Sequence, residues 1–161
     1  MSIVEDAKKG IITEEMKVVA ALEGVTEDFI RRGIASGQIV IPVSPYRKVK
    51  LCGIGGGLKT KVNCSVGTST DIVDVDMEVE KVKAGERAGA DTIMELSTGG
   101  DFVEVRKRCI EATTLSCGSV PLYQAFIEAA RKDGAVIHMR EDDLFRITEE
   151  QAKLGTNFMA I

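Results

Sequence analysis

The sequence predicts an α/β protein built on a parallel sheet, and three observations predict it. From residue 60 onward, short β-branched runs alternate with amphipathic helical stretches, an order that implies right-handed crossovers and parallel strands. The strands are short and each is followed by enough chain for one covering helix, which suits a (β/α)8 barrel better than an open dinucleotide-binding sheet. The first 59 residues follow another rhythm, of short helices and a hairpin. The expected architecture is a partial (β/α)8 barrel of TIM type, with about four parallel strands over residues 60–161, preceded by a small α+β region at residues 1–59.

In chain order, Thr13, Glu14 and Glu15 open a first helix with a capping hydroxyl and first-turn acids. Met16, Val19 and Ala20 share its apolar face and Gly24 ends it. Thr26 caps a second helix, in which Phe29, Ile30, Gly33 and Ile34 keep helical spacing as far as Gly37. Residues 39–41 and 49–51 read as the strands of a hairpin around Pro42, Ser44 and Pro45, and the glycine run at 53–57 as a second turn. Strands are then expected at 61–66, 91–96, 119–121 and 158–161. Helices are expected at 76–88, 101–112, 122–132 and 141–154; the second of these turns Phe102, Val105, Cys109 and Ala112 inward. A complete barrel takes about 250 residues, so four strands amount to half of one. Such an open sheet exposes edges and an apolar face that favour association.

Composition narrows the function. The formal net charge is -4, with 21 basic residues dispersed among 25 acidic ones and only 4% aromatic residues, which gives no electrostatic or stacking case for nucleic acid. No apolar run reaches the roughly 18 residues of a membrane span, and the first ten residues carry Glu5, Asp6, Lys8 and Lys9 with no apolar signal core. A cytoplasmic protein is expected. Cys52, Cys64, Cys109 and Cys117 are spaced by 12, 45 and 8 residues. That pattern contains no CxxC pair and reads as reduced, mostly buried thiols.

Chemistry in barrels of this kind sits at the C-terminal ends of the strands. That rule selects three stretches: Asn63-Cys64-Ser65-Val66-Gly67-Thr68-Ser69, Met94-Glu95-Leu96-Ser97-Thr98-Gly99-Gly100 and Val120-Pro121-Leu122-Tyr123-Gln124. Asn63, Ser65, Ser97, Thr98 and Tyr123 can hydrogen-bond a polar heterocycle or ribose, and Met94 can pack on its flat face. Taken singly, each reads more readily as structure: Asn63 as a turn cap, Thr98 as a helix cap, Tyr123 and Met94 as packing. Their common placement at one mouth is what points to a site. Three other features point elsewhere. The run Gly53-Ile54-Gly55-Gly56-Gly57 lacks a following GK[ST] and precedes a strand, so the nucleotide fingerprints fail. Asp71, Asp74, Asp76, Glu78 and Glu80 suit a helix N-terminus better than a cation. His138, the single histidine, cannot build a zinc site by itself.

Six motifs occur in order: Lys8-Lys9-Gly10-Ile11-Ile12-Thr13-Glu14-Glu15-Met16, Ile39-Val40-Ile41-Pro42, Lys61-Val62-Asn63, Gly89-Ala90-Asp91-Thr92-Ile93-Met94, Leu96-Ser97-Thr98-Gly99 and Val120-Pro121-Leu122-Tyr123-Gln124-Ala125. Together they closely resemble the phosphomethylpyrimidine synthase family and its sister branch, 5-hydroxybenzimidazole synthase. The resemblance implies a barrel behind a small N-terminal domain. It also implies S-adenosylmethionine, a [4Fe-4S] cluster and a zinc-type metal, used to convert aminoimidazole ribotide into the thiamine pyrimidine or a cobalamin benzimidazole. Carried over by motif, it assigns ribotide contacts to Ser65, where the family has asparagine, to Met94, and to Tyr123, with Asn63 as a weaker contact. Glu95 stands where the family has aspartate.

It assigns no catalytic residue and no metal ligand within these residues. The histidine that follows the last strand, the Ser-Arg-Gly loop, the metal histidines and the CxxCxxxxC motif are expected beyond Ile161. Ser65, Glu95 and the stretch 120–126 lean slightly toward the benzimidazole branch. The expected partners are a small-molecule ribotide and either a second copy or a missing C-terminal half. The alternative is an inactive truncated paralogue that binds ribotide or pairs with a full-length partner.

Overall fold

The computed structural model describes residues 2–160, which divide into two compact units. The first comprises residues 2–42 and 50–61. It opens with α1 (Ile3–Lys8), where the Glu5 amide donates to Ser2 Oγ at 3.2 Å and the Ser2 amide to Glu5 Oε2 at 2.9 Å. This reciprocal box satisfies two otherwise orphaned donors. The spacing Ser2-x-x-Glu5 carries that signal, yet the helix was not among the expected elements. Next come α2 (Glu14–Glu23) and α3 (Glu27–Ala35), the latter capped by Thr26 Oγ1 at 3.2 Å from the Phe29 amide. Their inward faces meet over Ala7, Met16, Val19, Ala20, Ile30, Ile34, Ile39 and Ile41.

The hairpin differs from the expected one. Strand β1 (Ile39–Val40) pairs antiparallel with β2 (Ile54–Gly55), not with residues 49–51. The glycine run, read as a turn, supplies the pairing strand because a side chain would block the approach. A Cβ on Gly55 would lie 2.1 Å from the Gln38 carbonyl oxygen.

The second unit comprises Val43–Val49 and residues 62–160. Strands β3 (Asn63–Val66), β4 (Thr92–Glu95), β5 (Ser116–Ser119) and β6 (Phe158–Met159) form one parallel sheet in that order. Between them run α4 (Val75–Arg87), α5 (Phe102–Glu111), α6 (Pro121–Asp133) and α7 (Glu141–Lys153), with a 3-10 turn at Val136–His138 before α7. The sheet therefore has the predicted parallel order, and the described residues hold seven α-helices in all. Ile161, the last residue of the expected final strand, lies outside the described residues.

Strand β5 begins three residues before the expected position and ends at Ser119, so that of residues 119–121 only the first is strand. Pro121 opens α6, a position that favours proline because its missing N–H has no partner there anyway. The true strand, Ser-Cys-Gly-Ser, has weak intrinsic β preference; its place is fixed by pairing on both sides, Met94 with Gly118 and Gly118 with Phe158.

Alternation gives the sheet two faces. Cys64, Val66, Ile93 and Cys117 pack with Val82, Val105, Cys109, Ile110 and Leu115. The other face carries Asn63 and Ser65, Thr92 and Met94, Ser116 and Gly118, and Phe158. A Cβ on Gly118 would lie 2.1 Å from the Phe158 ring, so the ring lies across that glycine. The segment Val43–Val49 is tied to the second unit by Arg47, whose guanidinium donates to the Thr113 carbonyl and, at 3.4 Å, to Asn157 Oδ1. Among the described residues no helix is long and apolar enough to cross a membrane.

Candidate functional site

The loops that follow β3 and β4 are each anchored by a buried carboxylate. Glu78, on α4, accepts the Gly67 amide at 2.7 Å and pairs with Lys81 at 2.7 Å. Glu95, the last residue of β4, accepts the Ser97 amide at 2.7 Å. The acid run at 71–80 is thus built into structure: Asp74 caps α4 through the Met77 amide at 2.9 Å, and Asp76 pairs with Arg108 at 2.7 Å.

The two loops are also bonded to each other. The Leu96 amide donates to the Val66 carbonyl at 2.8 Å and the Thr98 amide to the Thr68 carbonyl at 2.9 Å. The Thr68 amide donates to Ser97 Oγ at 3.0 Å and its hydroxyl to the Gly99 carbonyl at 2.7 Å. A Cβ on Gly99 would meet the Ser69 carbonyl oxygen at 2.0 Å, so this approach needs glycine. Thr98, expected as a helix cap, joins the loops instead; α5 is capped by Asp101, which accepts the Val103 and Glu104 amides.

The sequence-selected residues fall as follows. Ser65 and Met94 are direct partners in the sheet register and share the face away from the helices. Ser65 is exposed and Met94 half-buried. Asn63 lies two residues earlier on the same face, where its Oδ1 already accepts the Thr92 hydroxyl at 2.9 Å. Tyr123 occupies the first turn of α6, just past the C-terminal end of β5, and is 43% exposed. It is therefore not consumed in packing. Ser97 is buried within the loop junction.

Sequence reasoning missed a buried polar network on the opposite face. Arg106 and Glu95 are each 2% exposed, and Arg106 Nε stands 2.9 Å from Glu95 Oε2. That contact is charge against charge without hydrogen-bond alignment. Arg106 Nη1 donates to Gln124 Oε1 at 3.0 Å, which also accepts Gln151 Nε2 at 2.9 Å. Ser119 Oγ in turn donates to Gln151 Oε1 at 2.6 Å. Gln124 Nε2 reaches Glu128 at 2.8 Å, and Glu128 pairs with Arg146 at 2.7 Å. Burial pushes the Arg106 pKa below its ordinary value, while the charge of Glu95 pulls it back up. A signal for this network existed in the spacing. Arg106 lies within the stripe Phe102, Val105, Cys109, Ile110, and Gln151 lies one turn after Ile147.

Cys109 and Cys117 do not fit an iron–sulfur cluster or a zinc ion. Both metals take cysteine as thiolate. Burial, reinforced by nearby Glu95, pushes the Cys109 thiol up to about 12. Burial likewise pushes Cys117 up to about 11. Among the described residues no three His, Cys, Asp or Glu side chains converge to hold a metal.

Comparison with known proteins gives this geometry its context. The profile of the Radical SAM ThiC family matches residues 2–161. The phosphomethylpyrimidine synthase of Methanospirillum hungatei is 96% identical over 161 residues, all of this chain and 38% of that protein. The phosphomethylpyrimidine synthase of Methanoculleus marisnigri is 78% identical, and phosphomethylpyrimidine synthase 2 of Methanosarcina acetivorans 71%, with the same shares covered. The chain thus spans 38% of the length of these curated relatives. With the family profile matched from residue 2 to residue 161, the chain belongs to the radical SAM ThiC family.

Proposed function

We propose that these residues form the first staves of a (β/α)8 barrel, behind a separate N-terminal domain at 1–59. The barrel belongs to a cytoplasmic radical S-adenosylmethionine lyase that rearranges aminoimidazole ribotide to hydroxymethylpyrimidine phosphate. The single observation that carries the reading is the in-register pair Ser65–Met94 on the sheet face opposite the helix-packed core, with Tyr123 beyond the neighbouring strand. Met94 offers a polarizable surface for a flat heterocycle, and the Ser65 and Tyr123 hydroxyls can donate to and accept from ring or ribose oxygens. Asn63 contributes less, since Thr92 already engages its oxygen. The task of this face is positioning: it holds the ribotide so that one carbon is presented to the reaction. The cluster and any zinc-type metal would be held by parts of the polypeptide outside this chain, since among the described residues no three His, Cys, Asp or Glu side chains converge.

The lean of Ser65 and Glu95 toward the benzimidazole branch finds no support in the named relatives, all of which are phosphomethylpyrimidine synthases. The pyrimidine product is the better reading.

The test uses the full-length Methanospirillum hungatei relative, assayed anoxically with aminoimidazole ribotide. Met94→Ala and Tyr123→Phe at the matching positions should each raise the ribotide KM by about tenfold, the equivalent of one contact of about 1.4 kcal/mol. Unchanged KM in both variants would remove the ribotide from this face. Product analysis should give the pyrimidine phosphate, and a benzimidazole would reverse the branch.

A further inference from the structure

Arg106 lies on the buried side of α5 among Phe102, Val105, Cys109 and Ile110. A leucine there would fill the space without burying a charge, and buried ion pairs are frequently no more stabilising than apolar replacements of similar volume. The guanidinium head nevertheless meets two partners on two different elements. It stands against Glu95 Oε2 at 2.9 Å and donates to Gln124 Oε1 at 3.0 Å. Glu95 directly follows Met94 in β4, and its other oxygen holds the Ser97 amide at 2.7 Å. Gln124 directly follows Tyr123 in α6, and the same network continues through Gln151 to Ser119, the last residue of β5.

On that reading of the ribotide face, we propose that Arg106 is a positioning residue: by tying Glu95 to Gln124 it holds Met94 and Tyr123 in a fixed relation for the ribotide. Alternation along β4 makes the connection mechanical. With Glu95 pinned on the helix side, Met94 must face the other way. With Gln124 pinned, the first turn of α6 cannot rotate, and Tyr123 keeps its place. Loss of the guanidinium frees both ends at once. Glu95 is left with a buried, unopposed charge, and Gln124 loses one of the two donors on its oxygen.

Arg106→Lys at the matching position of the full-length Methanospirillum hungatei relative is the decisive variant. A lysine keeps the charge but gathers its donors on one nitrogen, and so lacks the planar fork that meets Glu95 and Gln124 with separate nitrogens. The ribotide KM should rise about tenfold while kcat changes by less than about threefold. The penalty of Tyr123→Phe should shrink from about tenfold in the parent to under about threefold in the Arg106→Lys background, because neighbours in one network are not additive. Glu95→Gln, which keeps an acceptor for the Ser97 amide, is the companion variant if the lysine protein folds poorly, and the same loss of coupling is expected. Penalties that multiply fully, or a change in thermal midpoint with ribotide KM untouched, overturn the proposal and leave Arg106 as structural packing. If Met94→Ala and Tyr123→Phe raise KM but Arg106→Lys does not, the positioning role fails while the ribotide face stands. If neither raises KM, the ribotide face itself fails.

Discussion

Residues 2–42 and 50–61 enclose Met16, Val19, Ile30, Ile34 and Ile39, and among the described residues the least exposed ion pair of that unit is Lys61–Glu23 at 3.0 Å. Residues 62–160, of similar secondary-structure content, enclose twelve polar or charged side chains, and these are all of the buried polar residues among the described ones. The contrast teaches where constraint lies. An apolar interior is the inexpensive way to hold helices together, since it buries surface without desolvating charge. Eight of the twelve, Thr68, Glu78, Glu95, Ser97, Arg106, Ser119, Gln124 and Gln151, lie at the C-terminal ends of the strands or are bonded to groups there, which marks a place where backbone geometry matters more than stability.

The largest expected effect breaks the polar side of that contrast. Arg106→Met leaves Glu95 buried and unpaired, and should destabilise the protein by about 3–5 kcal/mol in urea denaturation. A loss below about 1 kcal/mol would mean that water already reaches the pair. Next comes the apolar side. Met16 is fully buried, and Met16→Ala should lose about 2–4 kcal/mol through lost burial and a residual cavity. Unlike Arg106→Lys, it should leave the ribotide KM of the full-length enzyme unchanged.

The smallest effect concerns the least exposed ion pair of the N-terminal unit, Lys61–Glu23. Burial pushes the Glu23 carboxyl up, but the Lys59 amide at 2.8 Å and the Lys61 ammonium prevail and hold it below its ordinary value of 4.5. A depressed carboxylate stabilises the fold above its unfolded pKa and loses that contribution as pH falls through the folded one. Glu23→Gln should therefore be less stable than the parent at neutral pH, and the difference should close as pH falls through the lowered pKa of the folded carboxyl. A gap that persists in acid would assign it to packing.

Much of the fold is legible in the sequence, for reasons tied to particular residues. Thr26 announces a helix by capping and the acids from Asp71 to Glu80 announce another by their charge at its N-terminus, while the runs at Asn63–Val66 and Thr92–Glu95 announce strands by position and flanking turns. Strand β5 was misplaced because serine, cysteine and glycine carry little strand preference, so only the neighbouring strands define it. The hairpin partner was misread because the sequence shows Gly55 as flexible, whereas the fold uses its missing side chain. At the candidate site, the shared placement of Ser65 and Met94 follows from strand alternation alone. The network behind them does not: Gln124 and Gln151 look like ordinary solvated helix residues until α6 and α7 are packed. Their positions within apolar stripes were the available clue.

Glu78 and Glu95 grip the loops after β3 and β4 from the helix-packed side of the sheet. The shape of the mouth is therefore moulded from behind, and side chains in front can be exchanged without redrawing it. A replacement such as serine for asparagine at position 65 alters what the surface touches while the frame keeps its contour. Scaffold and exposed surface become separable parts, and side chains on the front can change by few substitutions while the frame stays the same.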